Sequence, residues 1–544
     1  MKDFIDAELA AQQDLSAVQR FARLADTEAF APGARHRDRI PLTRPRPGEQ
    51  YAFEVDLDAC SGCKSCVTAC HNLNGLDAGE SWRAVGELQG GSTAAPYLQS
   101  VTTACHHCVE PACMTGCPAL AYEKDPATGI VRHLDDQCIG CQYCVFMCPY
   151  EVPRFSHELG IVRKCDMCHD RLAADEAPAC VQACPTAAIS ITLTTEAAVV
   201  ADSEAGAFLP GAPDPRLTFP STRYVSQRPQ PANALPADYF AARPERAHPP
   251  LVAMLVLTQL SVGTFAVEEL LRALTPASAS ASAAAAAFRA TVALVLGLAA
   301  IGVSVLHLGR PLLAWKAVLG LRRSWLSREI MAFGAFAGLA LLHATALALG
   351  DRLGLPESPA LGALVVATGA LGVYASVMVY AATRRACWHP LPTALRFFST
   401  AAILGLATSL VLSHIAAWLL PGASASAGPA LATALAVTSA LKLAWEASLL
   451  RHVRDRQHGP RRRTATLLLG ELHRVTGARF LCGFAGGVAL PSLYAAVHDG
   501  PAVGPAFLTV VAVATVALCL IAELAERHLF FVAASAPAMP GGLP

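Results

Sequence analysis

The sequence carries little charge for its length, and this shortage limits what kind of protein it can be. Charged residues make up only 15% of its 544 positions, whereas about 25% is typical of soluble chains. A chain this apolar is not soluble throughout. It also lacks an excess of either sign, because 42 Lys and Arg balance 42 Asp and Glu. A neutral chain has no general attraction for nucleic acid, so we expect no such partner.

The first 50 residues lack the features of an export signal. They contain no continuous apolar core and no twin-arginine pair, and Asp3, Asp6 and Glu8 interrupt the start. Apolar residues between Leu9 and Leu24 recur at roughly helical spacing. We therefore expect residues 1–50 to be an N-terminal extension that acts as a docking or capping arm.

Cysteine, in contrast, is abundant and concentrated in one region. Sixteen of the 19 cysteines lie between Cys60 and Cys184, in four groups of four, and three of the groups end in Cys-Pro. The groups are Cys60, Cys63, Cys66 and Cys70; Cys105, Cys108, Cys113 and Cys117; Cys138, Cys141, Cys144 and Cys148; and Cys165, Cys168, Cys180 and Cys184. The pattern predicts a metal-binding domain over residues 51–190.

The spacing favours [4Fe–4S] clusters over zinc. A C-x2-C-x2-C loop holds one cube with three thiolates, and a fourth cysteine three residues further on reaches the other cluster of a pair. Zinc also binds C-x2-C pairs, but four sets of four cysteines with Cys-Pro endings suit it poorly. Sixteen thiolates therefore predict four [4Fe–4S] clusters.

The pairing of the groups follows if two groups fold against each other and exchange their fourth ligands. The second and third groups are adjacent and make an inner pair, which leaves the first and fourth as the outer pair. The predicted ligand sets are Cys60, Cys63, Cys66 and Cys184; Cys165, Cys168, Cys180 and Cys70; Cys105, Cys108, Cys113 and Cys148; and Cys138, Cys141, Cys144 and Cys117.

Long apolar runs fill the second half of the chain. A Pro-rich segment, 191–250, which we expect to be an extended strap or linker, precedes them. Each run has about 20 residues, the length that spans a bilayer, and the loops between them are too short to cover all of them with protein. We expect an anchor over 251–530 and a tail at 531–544, with eight spans at 251–272, 288–308, 330–350, 360–382, 397–420, 428–450, 479–498 and 503–524.

Loop charges predict the orientation of these spans. Basic residues concentrate between spans two and three, four and five, and six and seven, while the intervening loops are nearly free of charge. By the positive-inside rule the basic loops and both termini face the cytoplasm. The cysteine domain would then also be cytoplasmic, where metal binding is the usual role of clustered cysteines.

Two pairs of ionisable residues in the spans have no evident role in chemistry. Lys442 and Glu446 lie one turn apart in span six, and we favour an intramembrane pair that neutralises itself over a proton path. Glu268 and Glu269 end span one, where we expect them at the membrane interface.

Other membrane residues suggest a quinone site. His307 ends span two and Glu329 opens span three, on the face that also carries the cysteine domain whichever way the chain is inserted. Histidine exchanges protons near neutral pH, Glu329 could pass a quinol proton to water, and Gly309 would let the ring approach the backbone. His343 and His414 are candidate haem ligands that could face each other, but a membrane-crossing haem pathway usually needs two such pairs. We therefore expect no haem.

The amino-acid sequences of the motifs resemble those of a known family. ACHHCVEPACMTGCP, DQCIGCQYCVFMCPY and RKCDMCHDRL are similar to the four-cluster electron-transfer subunits of the dimethyl sulfoxide reductase family, from about Tyr51 to Tyr224. HLGRPLLAWKAVLGLRRSWLSREI and ERHLFF resemble the eight-helix membrane anchor of the same enzymes. The two subunits, separate in most relatives, look fused in this chain.

The resemblance implies a fold and a role. The fold would be an α+β ferredoxin-like iron–sulfur domain of two double-cluster repeats, followed by an all-α eight-helix transmembrane bundle in the bacterial inner membrane. The subunit would pass electrons between menaquinol and a separate molybdopterin subunit holding molybdenum or tungsten. The family's quinol-site positions fall on His307, Gly309 and Glu329.

Two alternatives stay open at this point. The same subunit could work in the oxidative direction, as in a cytoplasm-facing sulfite dehydrogenase that feeds quinone. A membrane transporter with a redox-sensing iron–sulfur domain belongs to a different class. Matched Gly or Pro interruptions in two halves of the bundle would indicate a transporter, and the sequence does not contain them.

Overall fold

The structure is a computed structural model that describes residues 4–7, 34–274, 283–353, 358–420, 422–500, 503–535 and 537–541. The amphipathic stretch expected between Leu9 and Leu24 lies outside these residues. The described chain has a part with short strands and helices up to residue 248, and a helical part that begins at Pro249.

The N-terminal part is built on two three-stranded sheets and two hairpins. The strands are β1 (Glu49–Asp56), β2 (Ala84–Gly91), β3 (Pro96–Thr103), β4 (Tyr122–Lys124), β5 (Val131–His133), β6 (Arg154–Ser156), β7 (Ile161–Arg163), β8 (Ile189–Thr195), β9 (Arg223–Val225) and β10 (Leu235–Pro236). The sheets have the orders β8–β1–β9 and β10–β2–β3, while β4–β5 and β6–β7 are antiparallel hairpins. The expected division into two ferredoxin repeats stays a prediction.

Short helices follow the cysteine loops, and four of them carry Cys66, Cys70, Cys113, Cys144 and Cys180. They are α1 (Ser65–Asn74), α2 (Ala112–Gly116), α3 (Tyr143–Met147), α4 (His169–Ala173) and α5 (Ala179–Gln182), and a sixth helix, α6 (Glu196–Glu204), follows β8. The residues before α1, α3 and α4, namely Lys64, Gln142 and Cys168, have left-handed backbone conformations with φ of 62°, 59° and 50°. These sharp turns lead each cysteine loop directly into a helix.

Helices make up most of the C-terminal part. Its helices are α7 (Pro249–Leu274), α8 (Ala283–Val305), α9 (Trp325–Leu353), α10 (Pro359–Ala381), α11 (Pro390–Leu419), α12 (Gly428–Leu450), α13 (Pro460–Leu469), α14 (His473–Phe484), α15 (Leu490–Val497) and α16 (Pro505–Val532). Five of these begin at proline, which suits the first turn because its missing N–H has no intrahelical partner there. A π-helical turn, Ala485–Ala489, joins α14 to α15.

The eight expected spans are not confirmed. Within the described residues, seven helices are long and apolar enough to cross a membrane: α7, α8, α9, α10, α11, α14 with α15, and α16. The expected sixth span, 428–450, does form helix α12, but it is not among the seven. Its polar residues, Lys442 and Glu446 among them, lower its hydropathy, and both are buried inside the bundle.

The Pro-rich segment 191–250 is more than the extended strap expected from its composition. It completes β8, forms α6 and supplies β9 and β10, one strand to each sheet. Strand β9 runs parallel to β1, with Val55 opposite Tyr224. Prolines mark the turns of this segment, and the strands between them are too short for a periodicity signal.

The two parts of the molecule share a hydrophobic core. Tyr143 and Met147 of α3 belong to the same buried cluster as Val252, Trp388 and Phe530 of the helical part. The tail also returns to the first part, because Met539 packs in a cluster with residues of β2 and β3. The cysteine domain is therefore seated on the helical bundle by packing as well as by the chain connection.

Candidate functional site

The structure brings the sixteen clustered cysteines together in four sets, which we call cradles. Each set matches one of the ligand sets that the exchange of fourth cysteines predicts. They are cradle 1 (Cys60, Cys63, Cys66 and Cys184), cradle 2 (Cys70, Cys165, Cys168 and Cys180), cradle 3 (Cys105, Cys108, Cys113 and Cys148) and cradle 4 (Cys117, Cys138, Cys141 and Cys144). The sulfurs of cradles 2, 3 and 4 line three enclosed cavities.

The cradles form a row through the domain. Cys66 of cradle 1 lies near Cys180 of cradle 2, and Cys165 of cradle 2 lies near Cys105 of cradle 3. Tyr122 lies between cradle 3 and cradle 4. Cys63, in cradle 1, is exposed at the surface, so the row runs from the surface to the domain interior.

The cradle sulfurs have surroundings that could hold thiolates bound to iron. Burial raises the pKa of the Cys148 and Cys168 thiols to about 11, so both would stay protonated without a cation. Iron would stabilise the thiolates and release those protons. Backbone amides already donate to sulfur in the pairs Ala121–Cys117 (3.2 Å), Gly140–Cys138 (3.4 Å), Met167–Cys165 (3.4 Å) and Ala188–Cys184 (3.2 Å).

The four cysteines of cradles 2, 3 and 4 surround cavities. Over the part of the chain that the structure describes, no three His, Cys, Asp or Glu side chains converge on a point where one ion would bind. Tetrahedral zinc needs such convergence, with sulfur about 2.3 Å from the metal. Cysteines spread around a cavity instead match a cube with iron atoms at separate corners.

Cradle 4 is seated on the loop between α8 and α9. The backbone N–H of Gly309 lies 3.4 Å from the carbonyl oxygen of Gly140, and Arg310 donates to the carbonyl of Ile139 at 3.1 Å. Both acceptors lie between Cys138 and Cys141. A methyl group on Gly309 would overlap the carbonyl oxygen of Gly160, so only glycine allows this approach.

The same loop binds the other side of cradle 4. Gly320 donates its backbone N–H to the carbonyl of Pro118 at 2.7 Å, directly after Cys117. The Ser324 hydroxyl donates to the carbonyl of Gly116, also at 2.7 Å. The loop therefore holds two of the segments that supply cradle 4 ligands.

Tyr143 connects cradle 4 to the bundle. It lies between Cys141 and Cys144 in sequence, and its hydroxyl donates to the carbonyl of Val379 in α10 at 2.7 Å. Buried Glu329 of α9 accepts a hydrogen bond from the hydroxyl of Ser376 in α10. Glu329 is also close enough to Tyr143 to act on its hydroxyl electrostatically. Glu329 thus lies on the side of cradle 4 that faces the helical bundle.

His307 lies just beyond the end of α8 and is half-buried. Its Nδ1 has no hydrogen-bond partner in the described part of the chain. Burial lowers the pKa of His307 to about 4, a backbone hydrogen bond at Ser304 opposes that shift and His248 adds to it, so the imidazole is neutral. His248 packs edge-on against Phe146, the ring centroids 5.2 Å apart. No direct hydrogen bond joins His307 to Glu329 among the described residues.

The other membrane residues have partners that the sequence did not indicate. Lys442 and Glu446 form the expected ion pair at 3.9 Å, and each also has a closer partner. Lys442 contacts Glu523 at 2.5 Å, and Glu446 contacts Arg479 at 2.9 Å. Arg479 also reaches Glu523 at 3.1 Å, which closes a buried four-residue network. These partners come from α14 and α16, so local spacing could not reveal them.

The acidic residues at the end of α7 are also paired. Glu268, expected at the membrane interface, is buried and bonded to Arg289 of α8 at 2.6 Å. Glu269 binds His343 at 3.2 Å. His414 is instead 2.6 Å from the Tyr494 hydroxyl, so the two histidines considered for haem have separate partners.

Comparison with known families identifies both parts. Residues 246–532, more than half of the chain, match the family of dimethyl sulfoxide reductase anchor subunits (DmsC). The chain belongs to this family. Residues 97–194 match the 4Fe–4S dicluster domain, so this anchor-family chain also carries an iron–sulfur domain. The resemblance to a fused electron-transfer and anchor subunit is confirmed.

Curated relatives match the iron–sulfur domain. The B subunit of anaerobic dimethyl sulfoxide reductase from Haemophilus influenzae is 36% identical over 152 residues, which cover 26% of this chain and 73% of the relative. The thiosulfate reductase electron transfer subunit PhsB of Salmonella typhi is 39% identical over 144 residues, 26% of this chain and 74% of the relative. A formate dehydrogenase iron–sulfur subunit of H. influenzae is 32% identical over 170 residues, 28% of this chain and 54% of the relative.

Proposed function

We propose that the chain passes electrons between membrane quinone and a separate molybdopterin catalytic subunit through four [4Fe–4S] clusters. The observation that carries the proposal is the seating of cradle 4 on the anchor, with Gly309 and Gly320 bonded to its ligand-bearing loops. A bound cluster takes up and gives back one electron at a time. A row of four cradles that starts at a membrane anchor and reaches the surface at Cys63 supports a path for electrons across the domain.

We assign the quinone site to His307, Gly309 and Glu329, at the foot of cradle 4. His307 is a neutral imidazole whose free Nδ1 can accept a quinol proton. Glu329 is a buried carboxyl that can receive or hold a second proton near Tyr143. The sequence suggested that Gly309 lets the quinone ring approach the backbone. We propose instead that it brings the loop close to the cluster-binding residues, because its backbone faces Gly140 and Gly160.

The position we propose for the chain in a complex rests on its relatives and on the exposed end of the row of cradles. Cradle 1 presents Cys63 at the surface, where a catalytic subunit could exchange electrons. The anchor family supports a reductase of dimethyl sulfoxide or a related substrate, fed by menaquinol. Likeness to the formate dehydrogenase subunit supports a second candidate, the same path run in the oxidative direction, as in a sulfite dehydrogenase.

We place the iron–sulfur domain on the cytoplasmic side of a bacterial inner membrane. Two of the basic loops bind this domain directly, which supports a common side for both. Lys316 donates to the carbonyl of Asp136 at 2.9 Å, and Arg385 pairs with Glu151 at 3.3 Å. The positive-inside rule then favours the cytoplasm for the loops and the domain together.

Iron and acid-labile sulfide analysis tests the cluster proposal. The anaerobically purified full chain should contain about 16 iron atoms and an equal amount of sulfide. Cys138→Ser should change or lose the cradle 4 cluster and leave the signals of cradles 1 and 2 intact. Zinc with little sulfide would contradict the proposal.

A further inference from the structure

Two buried cations lie among the cysteines without carboxylate partners. Arg83 of the 81–83 turn is 2% exposed and Lys164 is 3% exposed. Neither forms a salt bridge with Asp or Glu in the described residues, whereas Arg163, next to Lys164, is bonded to Asp77 and Glu80. Burying an unpaired charge is strongly unfavourable, so something else must stabilise Arg83 and Lys164.

Arg83 lies between cradles 1 and 2. It lines the cradle 2 cavity, and its Nη1 donates to the Thr102 hydroxyl at 3.2 Å. The same hydroxyl is 3.5 Å from the sulfur of Cys66 in cradle 1. The guanidinium also covers the ring of Phe53 at 4.8 Å, and its Nη2 has no described partner. The groups that act on it most strongly are the four cysteines Cys180, Cys66, Cys165 and Cys70, from both cradles.

Lys164 lies in the next gap, between cradles 2 and 3. It lines the cradle 3 cavity, and its Nζ donates to the backbone carbonyl of Cys165, a cradle 2 residue, at 2.8 Å. Cys105 and Cys113 of cradle 3 and Cys165 of cradle 2 act on it more strongly than the carboxylate of Asp166.

The third gap has no buried unmatched cation among the described residues. Between cradles 3 and 4 lies Tyr122, a neutral phenol near Cys113 and Cys144. His133, beside cradle 4, is 2.7 Å from the carboxylate of Asp135, which offsets any charge it carries. The row of cradles is therefore electrostatically uneven, with both buried unmatched cations in the first two gaps and none in the gap beside cradle 4.

We propose that Arg83 and Lys164 are positioning residues that serve as shared counter-ions, so that cradle 2 holds the most easily reduced of the four clusters. The proposal rests on the proposed function, since it needs all four clusters. Reduction adds one electron to a cluster and forms no bond, so it makes an already anionic group more negative. A buried cation stabilises that added charge strongly because the surroundings have a low dielectric constant. Cradle 2 is flanked by both cations, cradles 1 and 3 by one each, and cradle 4 by neither.

Redox titration followed by paramagnetic resonance of the full-length chain tests the proposal, with signals assigned through single Cys→Ser variants of each cradle. Arg83→Gln should shift the midpoint potentials of clusters 1 and 2 to more negative values and leave 3 and 4 unchanged. Lys164→Gln should shift clusters 2 and 3 and leave 1 and 4 unchanged. Arg83→Lys, which keeps the charge, should bring the midpoint potentials of clusters 1 and 2 most of the way back to those of the unmodified chain. Arg223→Gln removes one positive charge from the domain surface and serves as the matched control.

Each outcome decides the matter. Shifts shared equally by all four clusters, no shift with all clusters present, or an Arg83→Lys variant that behaves like Arg83→Gln would overturn the counter-ion role. If a Gln variant fails to assemble fully, loss of only the two clusters beside the missing cation supports the role, and loss of all four contradicts it. Fewer than four clusters in the unmodified chain would instead refute the proposed function, which keeps the two failures distinguishable.

Discussion

A single glycine decides how closely the membrane loop approaches the iron–sulfur domain. Gly309 faces Gly140 and Gly160, and a Cβ on Gly140 would itself lie 2.8 Å from the Cα and backbone nitrogen of Gly309. Three glycines thus meet backbone to backbone at the cradle 4 loop. At the residue scale, this contact sets the separation between the proposed quinone site and its electron acceptor.

Gly309→Ala should therefore impair electron transfer without removing the clusters. The added methyl group overlaps the Gly160 carbonyl, so the loop must move, and a displacement of about 1 Å at a reacting centre can lower a rate about 100-fold. Stopped-flow reduction of the clusters by a quinol analogue measures the rate. Gly334→Ala, at a helix position with no neighbour within 4 Å, is the control and should leave the rate unchanged. Equal rates for Gly309→Ala and the unmodified chain would contradict this account.

The cluster ligands could be predicted from the sequence, while most residues around them could not. Cysteines within one loop have fixed spacing, so C-x2-C-x2-C is visible in a single line of sequence. Arg83 reaches cradle 2 from the position just before β2. The role of Tyr143 becomes clear only once Val379 is known to be its hydrogen-bond partner. Contacts between residues far apart in sequence have no local signal.

At the scale of elements, the second half of the bundle is joined by a buried network of charges. Helix α12 supplies Lys442 and Glu446, α14 supplies Arg479, and α16 supplies Glu523. Two positive and two negative side chains are matched inside the bundle. This pairing explains how the charged side chains of α12, which is not among the seven apolar helices, can be buried.

Lys442→Met should destabilise the bundle by about 3–5 kcal/mol, because Glu523 is left buried with one cation fewer. The double variant Lys442→Met with Glu523→Leu should recover part of that loss, since both buried charges of the pair are then removed. Thermal unfolding of the detergent-solubilised chain measures both. A double variant no more stable than the single one would show that the ion pair is not the source of the effect.

At the scale of the whole molecule, the anchor and the iron–sulfur domain are held together at several places besides Tyr143 and the shared core. The loop between α8 and α9 binds cradle 4, Arg385 binds Glu151, and Met539 of the tail packs beside β2 and β3. The sequence predicted two parts and their order. Their docking surface was not predictable, because its contacts join loops that are more than a hundred residues apart.

Orientation is testable with reporter fusions in the full chain. Reporters placed in the basic segment 455–459 should be active on the cytoplasmic side, and reporters in the uncharged segment 422–427 on the opposite side. A reporter after residue 541 should agree with the basic segment. Alkaline phosphatase activity at the basic segment would reverse the assignment and place the iron–sulfur domain outside the cytoplasm.

The central claim is that one chain carries electrons from membrane quinol into its own clusters. The most direct measurement adds a menaquinol analogue to the purified full chain in lipid nanodiscs, without a catalytic subunit, and follows the clusters by paramagnetic resonance. The account predicts reduction of the clusters in the unmodified chain. It predicts no reduction by quinol in His307→Arg, which fixes a positive charge and removes the proton acceptor, although dithionite should still reduce the clusters of that variant. Clusters that dithionite reduces but quinol leaves oxidised in the unmodified chain would contradict the account.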